Sequence, residues 1–297
     1  MKKINHKQID TISDSDNKEL RADLKELGCF IFEDCLDKTL VEIVHQALIR
    51  LFSTPQDVKD QCFIDKKQDP LGPGFSPFGV AKALDTGIAN LLETWDVSPD
   101  KINWPSGLDT EWKTLREYQT ALSNAAKAGL TVLAASLGVE REEILNLIDQ
   151  DSIEGIHLIH YFPLSKESSP DARRQSQHCD NTLVTLIPSP YPISTGLDIF
   201  NRKTKQWEHV VIPKGSCLIQ AGLILEYITC GAIKANLHTV SNPKFGTNEN
   251  ASRYSTPFFR SPKAGSTVRI LEKYKEGCGE KDVSLEEMER QYFKKIF

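Results

Sequence analysis

The sequence predicts a mainly β fold with helices, of the α+β class: a jelly-roll-like core carrying an N-terminal helical layer. Two observations predict it. Helical periodicity marks the first half of the 297 residues, whereas short apolar runs divided by turn residues fill the second half from Ile156 onward. Those runs are IHLIHYF, TLVTLI, GLDIF, WEHVVI, SCLIQAG, LHTV and SRYSTPFF, and they read as an antiparallel sandwich or barrel rather than as βαβ units.

The elements follow in order. The first 20 residues are polar apart from Ile9 and Ile12 and are expected to be loose. GCFIFEDCL (28–36) reads as a short buried strand. A helix is predicted over 37–52, because Leu40, Ile43, Val44, Ala47, Leu48 and Leu51 recur at helical spacing and Pro55 lies just beyond. Segment 65–110 is rich in Pro, Gly and Asp and reads mostly as loop, with LGPGFSPFG and LLETWDVSP inside it. Loops of this length are usually functional or disordered, and the aromatic residues here favour function. The clearest helix spans 111–137, with Leu115, Tyr118, Leu122, Ala125, Ala126, Gly129, Val132, Leu133 and Leu137 on one face. A short helix over 140–147 is acidic in its first turn. A polar helix over 284–294 closes the chain. The whole, 1–297, is read as a single domain: a helical layer to about 150, the β core over about 151–265, and the C-terminal helix within 266–297.

Composition narrows the function. Net charge is −5 with the two signs interspersed, so no basic stripe offers itself to nucleic acid. No run of about 18 apolar residues appears, so no membrane partner is expected, and the polar start does not resemble a signal peptide. The seven cysteines are scattered, odd in number and lack a CxxC pair, which predicts reduced thiols in a cytoplasmic protein and argues against a disulfide framework or zinc ribbon. A small-molecule substrate and a monomer or homodimer are expected.

The stretch QSQHCDNTLVTLI (175–187) holds the first candidate site. His178 and Asp180 share one face of an extended strand, with Cys179 turned away. Such a pair suits either a metal or an ordinary surface contact, since a metal needs three or more ligands. His238, in NLHTVSNP, opens a strand 60 residues later, and HxD with one distant His is a 2-His-1-carboxylate set that leaves metal positions open. In SRYSTPFF, Arg253 and Ser255 again share a face, and a guanidinium beside a hydroxyl suits a carboxylate.

This ordered set resembles the non-haem Fe(II)- and 2-oxoglutarate-dependent oxygenases, and more closely their isopenicillin N synthase-like branch. The likeness runs over roughly 20–265, through GCFIF, GFSPFG, ETWDV, IHLIHYFP, HCDNTLVTLI, GLDIFNRKTKQWEHVVIPKGSCLIQAG, NLHTVSNP and SRYSTPFF. The resemblance implies a double-stranded β-helix with Fe(II) held by His178, Asp180 and His238. It implies 2-oxoglutarate bound by Arg253 and Ser255, O2 as the other co-substrate, and ascorbate as an optional external reductant. Asp180 stands where halogenating relatives carry a small residue, so oxygenation is expected instead. The family's Asn-Tyr-Tyr-Pro is His160-Tyr161-Phe162-Pro163 here, with His160 and Tyr161 as further co-substrate candidates. Its Asn-Ile-Gly-Asp is QAGL, with Gln220 and Leu223, and Thr239 follows His238 where many relatives carry Arg. Phe75, Phe78 and Trp95 lie in loops that cover the pocket in relatives, and Phe259 follows the Arg-x-Ser pair; all four are substrate candidates or core residues. Tyr161 shares strand parity with His157, and either is placed to face the site. Three alternatives stand beside this reading. One is an Fe(II) oxidase of the same fold that does not use 2-oxoglutarate, like isopenicillin N synthase or aminocyclopropane carboxylate oxidase. Another is a non-catalytic binding protein. The weakest is a zinc hydrolase, for which no paired general base is evident.

Overall fold

The computed structural model describes residues 1–290 apart from positions 67, 70, 71, 84, 85, 99–102, 149–151, 167, 169–171, 195, 280 and 289. Helices α1 (Asp14–Glu26), α2 (Lys38–Phe52), α3 (Gln56–Asp60), α4 (Asp109–Leu137) and α5 (Arg141–Leu145) precede the main run of strands, while α6 (Leu223–Ile228) and α7 (Glu272–Lys275) come later. Helix α2 begins at Asp37, whose carboxylate accepts the N–H groups of Thr39 and Leu40 at 2.8 Å each. Helix α4 buries Leu115, Tyr118, Leu122, Leu130, Leu133 and Leu137 and stops at Gly138, whose φ of 65° is the left-handed turn that glycine tolerates without a Cβ clash. Both helical stripes join Phe30, Leu158, Leu186, Ile219 and Phe258 from the strands in one apolar cluster. Burying such side chains contributes roughly 1.5–3 kcal/mol each, which is what fixes the helical layer to the β core.

The strands are β1 (Lys3–Asn5), β2 (Cys29–Glu33), β3 (Gly74–Ser76), β4 (Leu92–Val97), β5 (Ser152–Tyr161), β6 (Gln175–His178), β7 (Val184–Pro188), β8 (Leu197–Asn201), β9 (Gln206–His209), β10 (Cys217–Ala221), β11 (His238–Val240), β12 (Arg253–Ser255), β13 (Phe258–Lys263), β14 (Thr267–Val268) and β15 (Val283–Ser284). The larger sheet runs β1-β2-β10-β7-β13-β5-β4-β3, with β12 also paired to β5. The smaller sheet runs β6-β11-β8-β9. Alternation along β5 separates two environments: Ile156 and Leu158 enter the apolar cluster, while His157, Ile159 and Tyr161 line a cavity between the sheets. This is the jelly-roll arrangement the strand pattern predicts.

Two expectations need correction, one needs refinement and one lies partly outside the described residues. The first 20 residues are not loose: Ile4 is buried on β1, which pairs in parallel with β2, and α1 begins at a Ser13–Asp16 capping box and buries Leu20 and Leu24. Segment 65–110 is mostly loop as expected, but it also holds the strands β3 and β4, and β4 pairs with β5 along its whole length. Every residue of β4 except Asp96 is buried, so the strand shows no polar alternation to betray it. At the C-terminus residues 285–288 are helical, and positions from 291 onward, including the far end of the predicted helix, lie outside the described residues. Cys230 and Cys278 form a disulfide across 48 positions, so the thiols are not all reduced; the other five cysteines carry none. Among the described residues no helix is long and apolar enough to cross a membrane.

Candidate active site

The small sheet brings the two distant histidines side by side. His238 on β11 pairs directly with His178 on β6, and their rings sit 4.2 Å apart between centroids. Asp180 follows two residues after His178, with Oδ1 at 3.4 Å from His178 Nε2 and 4.0 Å from His238 Nε2. One ligand atom from each residue falls within 4.8 Å of the others, close enough to share one cation. Each imidazole is oriented by its own strand: His178 Nδ1 donates to Ser176 O at 2.9 Å and His238 Nδ1 to Asn236 O at 3.2 Å. A carbonyl only accepts, so both protons sit on Nδ1 and both Nε2 lone pairs face Asp180.

The electrostatics agree with a ligand set. Burial lowers His238 to about 4, helped by the charge of His178, so its ring is neutral at physiological pH. Burial alone would raise Asp180, but the two imidazoles and the Thr185 hydroxyl outweigh it and hold the carboxyl well below the usual carboxylate range. For His178 burial opposes protonation, yet its contacts with Asp180 prevail and raise it. The second carboxylate oxygen of Asp180 accepts the Gln220 amide from β10. The turn from β10 into α6 presses on the same segment: Leu223 N–H donates to Asp180 O at 2.9 Å, and a Cβ on Gly222 would collide with Thr182 O. Only glycine lets that turn close on the Asp180 loop.

The large sheet supplies the other end. β12 pairs with β5 so that Arg253 stands opposite Tyr161 and Ser255 opposite Ile159. Arg253 is 5% exposed, lies 4.9 Å from the Tyr161 ring centroid, and has no partner for Nε or Nη1 among the described residues. Burial lowers its pKa, against the favourable contact with Tyr161. Arg174, also buried, lies close enough that burial and the Arg253 charge bring it down to about 10. His178, Asp180, His238, Arg253, Ser255 and Tyr161 all line one cavity of about 390 Å³. A buried guanidinium with two unused N–H groups, in a cavity that also holds a clustered 2-His-1-carboxylate set, is what a metal-chelating acid with a second carboxylate would complete.

Residues 153–262 match the model of the family described as the 2OG-Fe(II) oxygenase superfamily. This match and the likenesses to curated relatives support membership of that superfamily. It is 27% identical over 173 residues to kihadalactone A synthase of Citrus sinensis, covering 56% of this chain and 49% of that protein. It is 26% identical over 155 residues to gibberellin 20 oxidase 4 of Arabidopsis thaliana, covering 52% of this chain and 38% of that protein. The chain thus matches half or less of the length of these curated relatives. Among solved structures, a full-length Neurospora crassa protein in complex with alpha-KG superposes with a TM-score of 0.84 at 16% identity, over 99% of this chain and 96% of that one, a likeness of fold.

Within the superfamily frame the remaining candidates divide. Tyr161 faces the cavity, but His160 is on the opposite side of β5, where Nδ1 meets Glu93 Oε1 at 2.8 Å and Nε2 meets Ser252 Oγ at 3.0 Å. The co-substrate contact expected of His160 is therefore corrected: strand alternation turns it away from the cavity. Phe75 and Trp95 are fully buried against one another at 5.4 Å and do not line the cavity. Trp95 Nε1 donates to Asn103 O at 3.0 Å, which makes it an anchor for the loop. Phe78 is 54% exposed and meets Phe162 edge-on, again off the cavity wall. Only Phe259 of the four substrate candidates lines the cavity, 5.8 Å from the His157 ring. Sequence reasoning notes Gln220 only as a departure from the family pattern and passes over Asn90, Lys66 and Asp96. Gln220 reaches Asp180 from another sheet, Asn90 accepts Ser176 N–H and Oγ–H beside the metal strand, and Lys66 and Asp96 join His157 on the cavity wall. Asp96 is one of two carboxylates on β4, with Glu93; the others have no local pattern.

Proposed function

We propose that this chain is a non-haem Fe(II)- and 2-oxoglutarate-dependent oxygenase that hydroxylates or otherwise oxidises a small molecule, with release of succinate and CO2. The observation that carries the reading is the pair of half-sites in one cavity: three ligands with both Nε2 atoms turned to Asp180, and the buried, unpartnered Nε and Nη1 of Arg253. His178, Asp180 and His238 would hold the iron, and Arg253, with Ser255 and Tyr161 beside it, would hold the distal carboxylate of 2-oxoglutarate. Bound iron and 2-oxoglutarate supply the oxidising power: dioxygen is reduced, the keto acid loses CO2, and a substrate C–H bond is oxidised. The chain's own part is orientation and exclusion. The Ser176 and Asn236 carbonyls keep Nε2 of each imidazole free to ligate, and Gln220 fixes the Asp180 carboxylate so that Oδ1 faces the imidazoles. Apolar wall residues such as Leu92, Ile159, Leu197 and Val240 keep water from the reacting atoms.

The order of His-x-Asp, His and Arg-x-Ser along the chain supports a single oxygenase unit of the isopenicillin N synthase-like branch, with the helical layer as its outer face. A cytoplasmic setting is supported by the five cysteines outside the disulfide, while the Cys230–Cys278 bond weighs against it. Relatives named kihadalactone A synthase and gibberellin 20 oxidase support a small-molecule substrate. The test is an anaerobic titration of the Fe(II) protein with 2-oxoglutarate, followed by succinate formation in air with ascorbate present. A metal-to-ligand absorption band that disappears in Asp180→Ala is the expected result. A protein that binds no 2-oxoglutarate, or that retains iron equally after Asp180→Ala, refutes the proposal.

A further inference from the structure

The strand pair β4–β5 carries the same side-chain arrangement twice, once on each face. Glu93 stands opposite His160 and Asp96 opposite His157 in the register of this pair. Three residues separate the two pairs along each strand, an odd offset that sends them to opposite faces of the sheet. Each carboxylate is held by a lysine. Away from the cavity, Lys59 Nζ meets Glu93 Oε2 at 2.9 Å, and His160 meets Glu93 Oε1 at 2.8 Å. Toward the cavity, Lys66 Nζ meets Asp96 Oδ2 at 2.8 Å, and His157 Nδ1 meets Asp96 Oδ1 at 2.6 Å.

The two arrangements differ in one respect. His160 is closed: its Nε2 is bonded to Ser252 Oγ at 3.0 Å, its ring stacks on Tyr254 at 4.8 Å, and its side chain is 12% exposed. His157 is open: its side chain is 26% exposed, it lines the cavity, and its Nε2 has no partner among the described residues. A carboxylate can only accept, so the Asp96 contact places a proton on Nδ1 and leaves Nε2 as the working end, a lone pair that accepts an O–H and can take over the proton of an acidic ligand. Lys66 is fixed by Asp96 and by Gly72 O at 2.6 Å, so it steadies the carboxylate and does not itself reach for a ligand. Burial would raise the Asp96 carboxyl, but His157 and Lys66 bring it down to about 2, so the support beneath the imidazole is ionised throughout the physiological range. Ile153, Pro257 and Phe259 give this end of the cavity an apolar part, with Ser98 and Ser261 also on its lining. His157 lies four residues from Tyr161 along β5, about 13 Å at strand rise, so it belongs to a different end of the cavity from Arg253.

We propose that His157, braced by Asp96 and Lys66, is the polar anchor for the oxidisable substrate, which is a small, largely apolar molecule bearing one acidic O–H, of a carboxylic acid or a phenol, whose proton the Nε2 of this imidazole accepts. The proposal rests on reading the cavity as an oxygenase active site. His157 is thereby a specificity-determining residue, not a metal or co-substrate ligand.

The test uses the full chain loaded anaerobically with Fe(II) and 2-oxoglutarate. The probes are phenylacetate, 4-phenylbutyrate and 4-propylphenol, each beside its methyl ester or methyl ether. Saturation-transfer NMR gives relative affinities whether or not the 2-oxoglutarate absorption band forms, so loss of the band marks failure of the oxygenase reading alone. The expected result is that at least one acid or phenol binds about tenfold or more tightly than its methylated partner, the scale of one hydrogen bond to a charged group. That preference falls to within twofold in His157→Phe and in Asp96→Asn, while His160→Phe, which removes the closed twin, keeps it. Equal binding of methylated and free probes to the unaltered protein, or a preference that survives His157→Phe, overturns the proposal. If His157→Phe does not fold, Asp96→Asn decides in its place.

Discussion

Replacing Arg253 by Met separates a ligand-binding role from a structural one, because the two roles move stability in opposite directions. The guanidinium is 5% exposed, and its Nε and Nη1 are buried without partners among the described residues. Leaving such a group unpaired costs roughly 1–3 kcal/mol. Its stacking on Tyr161, at 4.9 Å from the ring centroid, returns about 1 kcal/mol. Met fills much of the same volume without the charge, so ligand-free Arg253→Met should be as stable as the unaltered protein or more so, by about 1 kcal/mol. Binding should move the other way. Two charge-assisted hydrogen bonds to the distal carboxylate of 2-oxoglutarate amount to roughly 3–6 kcal/mol. At about 1.4 kcal/mol per decade, that is a loss of roughly 10²–10⁴ in affinity. The assay pairs urea unfolding of the metal-free protein with anaerobic titration of 2-oxoglutarate into the Fe(II) protein. A dissociation constant within threefold of the unaltered protein refutes the assignment. So does a loss of more than about 2 kcal/mol of ligand-free stability, because that would make Arg253 a structural residue.

Three further outcomes follow from the geometry. The Asp96 carboxyl is brought to about 2 from an ordinary 3.8, so its ionised form favours folding; that stability is present above about pH 4 and is lost as pH falls toward 2. Urea unfolding should show roughly 2 kcal/mol of extra acid sensitivity in the unaltered protein relative to Asp96→Asn over that window. Gly222→Ala would drive a Cβ into a backbone oxygen of the Asp180 loop, so iron retention after dialysis should fall and stability should drop by about 2 kcal/mol or more; full iron content would refute the close approach. The Cys230–Cys278 bond closes a span of 48 positions, for which chain entropy gives roughly 4 kcal/mol, so reductant or Cys278→Ser should lower the urea midpoint clearly, and superimposable curves would mean the bond does not form in solution.

The three candidate metal ligands are legible because each sits in or beside a strand whose local pattern is strong. His178 and Asp180 share parity at the end of β6, and His238 opens β11; an ordered pattern of motifs substitutes for the missing knowledge of which strands pair. Arg253 and Ser255 were legible for the same reason. Helices α2 and α4 announce themselves through their apolar stripes, whereas α1 does not, since it buries only Leu20 and Leu24 among thirteen mostly charged residues. Strand β4 escaped notice because it is covered on both faces and lies between turn-rich segments. His160 was misplaced because a motif position names a residue but not the face of the strand it occupies, and Glu93 and Ser252 hold it outside the cavity. Gln220 escaped because its contact with Asp180 spans 40 positions and two strands, which no local spacing encodes.

The two halves of the site are held by separate devices, and this makes them separable by experiment. Each imidazole of the candidate metal site is oriented by the carbonyl two residues before it in the chain, Ser176 for His178 and Asn236 for His238. Their mutual distance is then set by the direct pairing of β6 with β11 in the small sheet. Arg253 depends on none of this. Its place is set by the register of β12 against β5 in the large sheet and by the ring of Tyr161 beneath it. Asp180 follows β6 of the small sheet but is held from outside it, since its carboxylate is bonded by Gln220 from β10 of the large sheet and its backbone by Leu223 from the start of α6. A lesion in β12 should therefore remove co-substrate binding and leave iron content intact, whereas a lesion at Gln220 should disturb iron first, because the carboxylate it fixes is the one ligand that the small sheet does not orient.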